Sequence, residues 1–287
     1  MIWNEKCELM DREDLAQVQI EGLQSTLNRA RRNVAFYRQA FERAGVKVED
    51  VRALADLAHL PFTTKADLRA AYPYDMFAVP LRDIVRIQCT SGTTGRPVVV
   101  GYTPNDLKMW SECMARVLTA GGVTEHDVVQ VSFTYGLFSG GLGFHYGGEE
   151  LGVMVTPMSG GQTQKQIMLI KDFDATGLSC TPSYALNLAE EAEGLGVDMR
   201  KLPLRVGIHG AEPWTEEMRY ELESRLGIDA IDIYGLSEIM GPGVCVECIN
   251  AKDGLHVWED HFLVECVDID TGKPLPYGEQ GEIVFTS

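Results

Sequence analysis

From Thr103 onward, strand-length apolar runs take turns with helix-length segments, and this alternation constrains the fold more than any other feature of the chain. Val128 to Phe133, Val153 to Thr156, Leu178 to Cys180, Leu204 to Ile208 and Ala230 to Ile233 read as strands. Gln162 to Ile170, Ser183 to Glu193 and Thr215 to Leu226 read as the helices between them. A further helix starts at Thr103-Pro104, where proline suits the first helical position. Leu107, Trp110, Met114 and Val117 give that helix its buried face, and Gly121-Gly122 stops it. Strands buried on both faces read as continuous apolar runs, whereas surface helices carry apolar stripes spaced by threes and fours. A wholly helical or all-β protein would not switch periods in this way. The expectation is an α/β fold built on mostly parallel, helix-covered sheets.

Both ends of the chain have a different texture. Ile20, Leu23, Leu27, Ala30, Val34, Tyr37, Phe41 and Ala44 draw one stripe along a helix that Gly45 can end. A coiled coil would use a similar stripe, but Gly22 and the arginines around Ala30 favour a docked surface helix. Thr64 with Asp67 predicts a capping box for a helix through Ala71. After Glu247, strands over Leu255 to Val257, Phe262 to Val267 and Ile283 to Phe285 are separated by Asp-Gly and Thr-Gly turns. These predict a C-terminal mixed or antiparallel β subdomain. The expected division is a helical region over 1–80, the main α/β region over 81–244, and the start of the β subdomain over 245–287.

Charge narrows the partners. A formal net charge of -17 argues against a general nucleic-acid surface and against an anionic membrane surface. It leaves nucleotide binding open, because local loops and a metal ion can reverse the field in one cleft. No run approaches ~18 uninterrupted apolar residues, and the N-terminus has no signal-peptide layout. The seven cysteines, an odd and scattered set, fit free thiols in a reducing cytoplasm.

Between the strand candidates Ile84 to Ile87 and Val98 to Val100 lies Cys89-Thr90-Ser91-Gly92-Thr93-Thr94-Gly95-Arg96-Pro97. Its glycines permit a tight turn that aims backbone N–H groups at an anion, and its hydroxyls add donors. The same composition suits a plain hairpin turn. It is not a Walker A loop, because no Gly-Lys-Ser/Thr follows.

Thr90 to Pro97 resembles the phosphate-binding signature of the adenylate-forming enzymes, which activate carboxylic acids with ATP. Three further stretches are similar to the phenylacetate–coenzyme A ligase family in order and spacing: Tyr135-Gly136-Leu137-Phe138 leading to His145-Tyr146-Gly147, then Gly210-Ala211-Glu212-Pro213-Trp214, then Tyr234-Gly235-Leu236-Ser237-Glu238 with Gly241-Pro242-Gly243. The resemblance implies that Thr90, Ser91, Gly92, Thr93, Thr94 and Gly95 hold the β- and γ-phosphates. It makes Glu238 the magnesium ligand, with Thr93 and Glu238 as catalytic positions. Asp232, Tyr234, Gly235 and Ser237 resemble one wall of the adenine pocket, and Gly210, Ala211, Glu212 and Pro213 the other. Tyr135 and Phe138 would line the acid pocket, although the same side chains would serve equally well in a core. Arg96 stays open between nucleotide contact and an ion pair on an acidic surface.

The resemblance implies ATP, Mg2+ and coenzyme A as cofactor and co-substrates, an aryl acid as substrate, and paired subunits as the assembly. It also implies a structural zinc to which Cys248 and His256 contribute, with further ligands beyond Ser287; Cys245 falls outside that pattern. Thiols packed in the β subdomain account for the cysteines equally well. A mobile C-terminal domain bearing a catalytic lysine would follow, so a chain of 287 residues is expected to be severely impaired as an enzyme. The alternatives are a ligase for another aromatic or heteroaromatic acid, a relative that adenylates a carboxylated cofactor, and a noncatalytic nucleotide-binding module.

Overall fold

The computed structural model describes residues 1–90 and 95–287 and divides into two compact units, each interrupted in sequence. One unit comprises Glu5–Pro104 and Val257–Ser287; the other comprises Met1–Asn4 and Asn105–His256.

The first unit begins with a short helix α1 (Glu5–Glu8), followed by α2 (Arg12–Asn33) and α3 (Ala35–Ala44). Asp11 caps α2 by accepting from the N–H groups of Glu13 and Asp14, both at 3.0 Å. The single stripe read from Ile20 to Ala44 is therefore two helices, broken at Val34. This residue is extended (φ -115, ψ 115) and only 1% exposed. The stripe survives the break because Leu23, Leu27 and Phe41 pack into one cluster with Val48, Val51 and Leu57. Arg38 offsets the cost by donating to the carbonyls of Arg31 and Arg32 at the end of α2. Gly45 ends α3 in the left-handed conformation, as its position predicts. Thr64 and Asp67 form the expected capping box on α4 (Lys65–Ala70). Strands β1 (Arg86–Cys89) and β2 (Val99–Tyr102) then pair antiparallel.

The second unit holds the alternating elements. They are α5 (Pro104–Ala120), β3 (Val128–Val131), α6 (Gly140–Leu151), β4 (Met154–Thr156), α7 (Thr163–Asp172), β5 (Gly177–Cys180), α8 (Pro182–Gly194), β6 (Val206–Gly210), α9 (Glu216–Leu226), β7 (Asp229–Leu236) and β8 (Gly241–Val246). The sheet order is β4-β3-β5-β6-β7-β8, closed by β9 (His256–Val257), where the chain leaves this unit. β3 to β7 are parallel, and β8 runs antiparallel to β7. Ile167 and Ile170 of α7, Leu188 of α8, and Leu222 and Leu226 of α9 bury one face against Leu178, Cys180 and Ala230. The opposite face meets α5, where a side chain on Gly121 would come within 2.9 Å of Ile208.

Helix α6 is not predicted by its sequence, where the glycines suggest only room for close backbone approach. It carries five glycines in twelve residues, each costing roughly 1 kcal/mol of helix propensity against alanine. Packing outweighs propensity. A Cβ on Gly147 would lie 2.3 Å from Cβ of Met114 in α5, and one on Gly143 would lie 2.7 Å from Pro242 in β8. Glycine is what lets α6 approach both. The chain ends in a second antiparallel pair, β10 (Leu263–Val267) with β11 (Glu282–Thr286), in the first unit; Leu263 packs on that unit's helical cluster.

Candidate active site

Sheet topology locates the candidate site before any motif is used. From β3 the chain moves outward to β4, then returns to the other side of β3 as β5. The order therefore reverses between β3 and β5. In an open parallel sheet, ligands bind beyond the carboxyl ends of the strands near such a reversal. The segment after β3 carries Tyr135 and Phe138, the segment after β6 carries Ala211, Glu212 and Pro213, and the end of β7 carries Tyr234 to Glu238. Three of the motifs read from the sequence thus lie along one edge.

Alternation along β7 sorts its side chains. Ile231 and Ile233 are buried on one face; Ala230, Asp232 and Tyr234 share the other. The Asp232 carboxyl accepts from the Trp214 indole N–H, and its backbone N–H donates to Glu247 at 2.8 Å. Burial raises its pKa, the Trp214 bond opposes the rise, and the like charge of Glu247 adds to it while Arg219 opposes. Arg219 joins Glu247 through two 2.8 Å bonds and lies 4.7 Å from the Trp214 ring. Asp232 thus already has an indole donor, with lone pairs left for a second one. Tyr234 is 42% exposed; burial raises its phenol, followed by Cys245 and Glu238.

Glu238 lies in the turn between β7 and β8, partly buried. The N–H groups of Ile239 and Met240 both donate to the Leu236 carbonyl and fix that turn. Gly235 is required beneath it, since a Cβ there would lie 2.2 Å from the Gly241 carbonyl. Ser237 shares a buried 3.2 Å hydroxyl bond with Ser139 at the start of α6. A partly buried carboxylate on a fixed turn suits a hard cation such as magnesium, which takes oxygen ligands.

The β6 segment is equally constrained. A side chain on Gly210 would come within 2.3 Å of the Ile233 carbonyl. Ala211 adopts φ +70, a left-handed conformation that alanine rarely takes. Glu212 accepts from the Ser183 N–H at 2.7 Å, so its carboxylate caps α8. The described residues of the predicted phosphate loop belong to the other unit. Thr90 accepts from the Val98 N–H through its hydroxyl at 3.0 Å, which leaves the O–H hydrogen to donate elsewhere. Gly95 is exposed with φ +136, and Arg96 lies 5.7 Å from the Tyr72 ring. Ser91, Gly92, Thr93 and Thr94 lie outside the described residues.

The acid-pocket motif brings in side chains that the sequence reading did not assign. Tyr135 is partly buried, its hydroxyl 3.3 Å from Nδ1 of His145; Nε2 of His145 lies 3.1 Å from Glu149. Phe138 is exposed and its ring covers Gly140. His145 and Glu149 stand at i and i+4, a spacing that signals a pair only once α6 is known to be a helix. Cys248 follows β8 and His256 is exposed in β9; among the described residues no three His, Cys, Asp or Glu side chains gather as metal ligands.

Comparison with known proteins now decides the family. The family model described as AMP-binding enzyme matches residues 16–287. The chain belongs to the AMP-binding enzyme family. It is 56% identical over 95% of its length to a phenylacetate-coenzyme A ligase of Pseudomonas putida, and 52% identical over 99% to one of Aromatoleum evansii. It spans 62% and 64% of the lengths of those two relatives. A 2-hydroxyisobutyryl-CoA ligase, solved with 2-HIB-AMP and CoA in the thioesterification state, is similar with a TM-score of 0.94 and 27% identity. That likeness covers 99% of this AMP-binding family member and 62% of the other chain. The α/β reading thus holds. Among the described residues, no helix is long and apolar enough to cross a membrane.

Proposed function

We propose that the chain carries the acid-activating body of an ATP-dependent ligase that joins an aryl acid, phenylacetate foremost, to coenzyme A. The observation that carries this reading is the 56% identity to a phenylacetate-coenzyme A ligase, sustained over 95% of the chain. In the first step the acid's carboxylate attacks the α-phosphorus of ATP, and pyrophosphate leaves. In the second, the coenzyme A thiol attacks the acyl carbon, its proton is lost, and AMP leaves with the bonding pair.

The chain's own residues would bind and orient. Tyr135 and Phe138 border the acid, which gains apolar burial and ring contacts. Asp232, Tyr234, Gly235 and Ser237 take one side of the nucleotide, and Gly210, Ala211, Glu212 and Pro213 the other. Thr90 to Gly95 take the leaving phosphates, with Thr93 and Glu238 acting where charge develops. Magnesium on Glu238, when bound, would supply positive charge to the phosphates. Cys248 and His256 supply two of the roughly four ligands a closed zinc site needs, so zinc structure would depend on groups outside the described residues. A cytoplasmic homodimer completes the proposal.

Glu238→Gln tests the nucleotide assignment. Calorimetry with ATP, with and without magnesium, should find affinity reduced about tenfold with the metal, or ~1.4 kcal/mol, and nearly unchanged without it. Equal magnesium dependence in both proteins would reject the role of Glu238.

A further inference from the structure

Tyr135, His145 and Glu149 form a chain of three polar groups next to the sheet reversal, and the charge at its outer end favours one direction along it. The Glu149 carboxylate can only accept. Its oxygen lies 3.1 Å from Nε2 of His145 as an ion-pair contact, and a negative charge so close favours the hydrogen on that nitrogen. In a neutral imidazole the other nitrogen, Nδ1, is then an acceptor. Nδ1 lies 3.3 Å from the Tyr135 oxygen, which must supply the hydrogen between them. The phenol has only one. Once it is given to His145, the oxygen offers the site lone pairs alone.

The surroundings hold this arrangement in place. The Tyr135 and His145 rings meet edge to face, 5.8 Å apart and at 88°. The Tyr135 N–H donates to the Ser159 hydroxyl at 3.4 Å, and Gly141 lets α6 pass under the ring, where a Cβ would sit 3.0 Å from Cδ2. Burial keeps the phenol protonated, Glu149 and Tyr146 adding to the effect, so the hydrogen is there to be donated. The Glu149 and His145 side chains are 57% and 24% exposed, while the phenol beyond them is partly buried. The charge therefore sits at the outer end and the acceptor oxygen at the inner end.

We infer that His145 is a positioning residue that turns the Tyr135 hydroxyl into a hydrogen-bond acceptor, so that Tyr135 borders the apolar end of the acid and not its carboxylate. A carboxylate is itself acceptor-only, and two facing sets of lone pairs repel. This rests on the proposed acid pocket. It assigns Glu149 the task of fixing the His145 tautomer, and it makes the orientation of the acid a consequence of a pair on α6.

Two measurements test the inference, and they fail separately. Nitrogen-15 NMR of the His145 imidazole at pH 8, where histidines in general are neutral, should find hydrogen on Nε2 and none on Nδ1. Glu149→Ala should mix the two tautomers. An Nδ1–H tautomer or an imidazolium in the parent, or an unchanged tautomer in Glu149→Ala, overturns the inference whatever the substrate. The second measurement is calorimetric phenylacetate binding to the parent and to Tyr135→Phe, with folding checked by circular dichroism. Affinity should fall by no more than about threefold. A loss of roughly tenfold or more, the scale of a lost bond to a charged group, would mean that Tyr135 donates to the carboxylate, and would also overturn the inference. If phenylacetate fails to bind the parent, the proposed substrate is rejected while the NMR result still decides the tautomer.

Discussion

The two edges of the parallel sheet are built on opposite principles. At the amino edge, Asp127 gathers donor groups from three places in the chain. It accepts from the Thr124 N–H and the Thr176 hydroxyl, each at 2.7 Å, from the Thr124 hydroxyl at 3.1 Å, and from the Arg205 guanidinium. Arg205 also donates to the Gly122 carbonyl at 2.9 Å. Burial works to raise the Asp127 carboxyl, but the bonds from Arg205, Thr124 and Thr176 outweigh it and hold the pKa below the ordinary value. At the carboxyl edge the chain leaves groups exposed or strained. Leu137, Phe138 and Tyr234 face solvent, and Ala211, Ser159 and Gln162 all adopt positive φ. The contrast separates a clamp, which spends its polar groups on holding the fold, from an edge that leaves side chains exposed and backbone strained.

If the amino edge is a clamp, breaking it should cost stability and spare binding. Asp127→Ala strands the Thr124, Thr176 and Arg205 donors and should lower unfolding free energy by about 3 kcal/mol in urea denaturation. Nucleotide affinity measured in the absence of denaturant should stay within about twofold. The sign with pH is set by the depressed pKa. The stabilisation is complete above the ordinary carboxylate value near ~3.9 and is lost as pH falls through the folded-state pKa. A variant that loses ATP affinity while keeping its stability would erase the distinction between the edges.

A smaller effect is expected near the other edge. His209 of β6 is fully buried against Trp214, its Nδ1 is 3.1 Å from the Cys180 carbonyl, and its Nε2 has no protein partner among the described residues. Burial pushes its pKa down from 6.5 to about 4, with the Cys180 bond opposing and Arg219 adding. Between those values the unfolded chain binds the extra proton, so stability is full above pH 6.5 and falls by up to about 1.4 kcal/mol per pH unit toward pH 4. His209→Phe should remove that slope and change stability at pH 7 by less than about 1 kcal/mol, because the orphan nitrogen goes with the ring. An unchanged acid slope in the variant would assign the transition to other groups.

The sequence made the βα alternation plain because local patterns created it. Thr64 and Asp67, Pro104, and Gly45 each sit where local backbone chemistry alone demands them. Helix α6 was illegible because its glycines answer to Met114 and Pro242, which are remote in sequence. The break at Val34 was hidden because the apolar stripe continues across it. The motifs announced the carboxyl-edge residues but not their bonds. Nothing local says that Glu212 caps α8, or that Asp232 meets Trp214. Arg205 and Asp127 pair across 78 residues, beyond the reach of any periodicity.

Hydrogen–deuterium exchange with and without magnesium, ATP and phenylacetate reports directly on whether ligands occupy the carboxyl edge of the sheet. Amides within Ser132–Ser139, Gly210–Trp214 and Tyr234–Glu238 should gain protection when the ligands are present, while Thr124–Asp127 and Arg205 keep their exchange rates. Protection confined to the amino edge, or none along Tyr234–Glu238 at saturating ATP, would contradict the account.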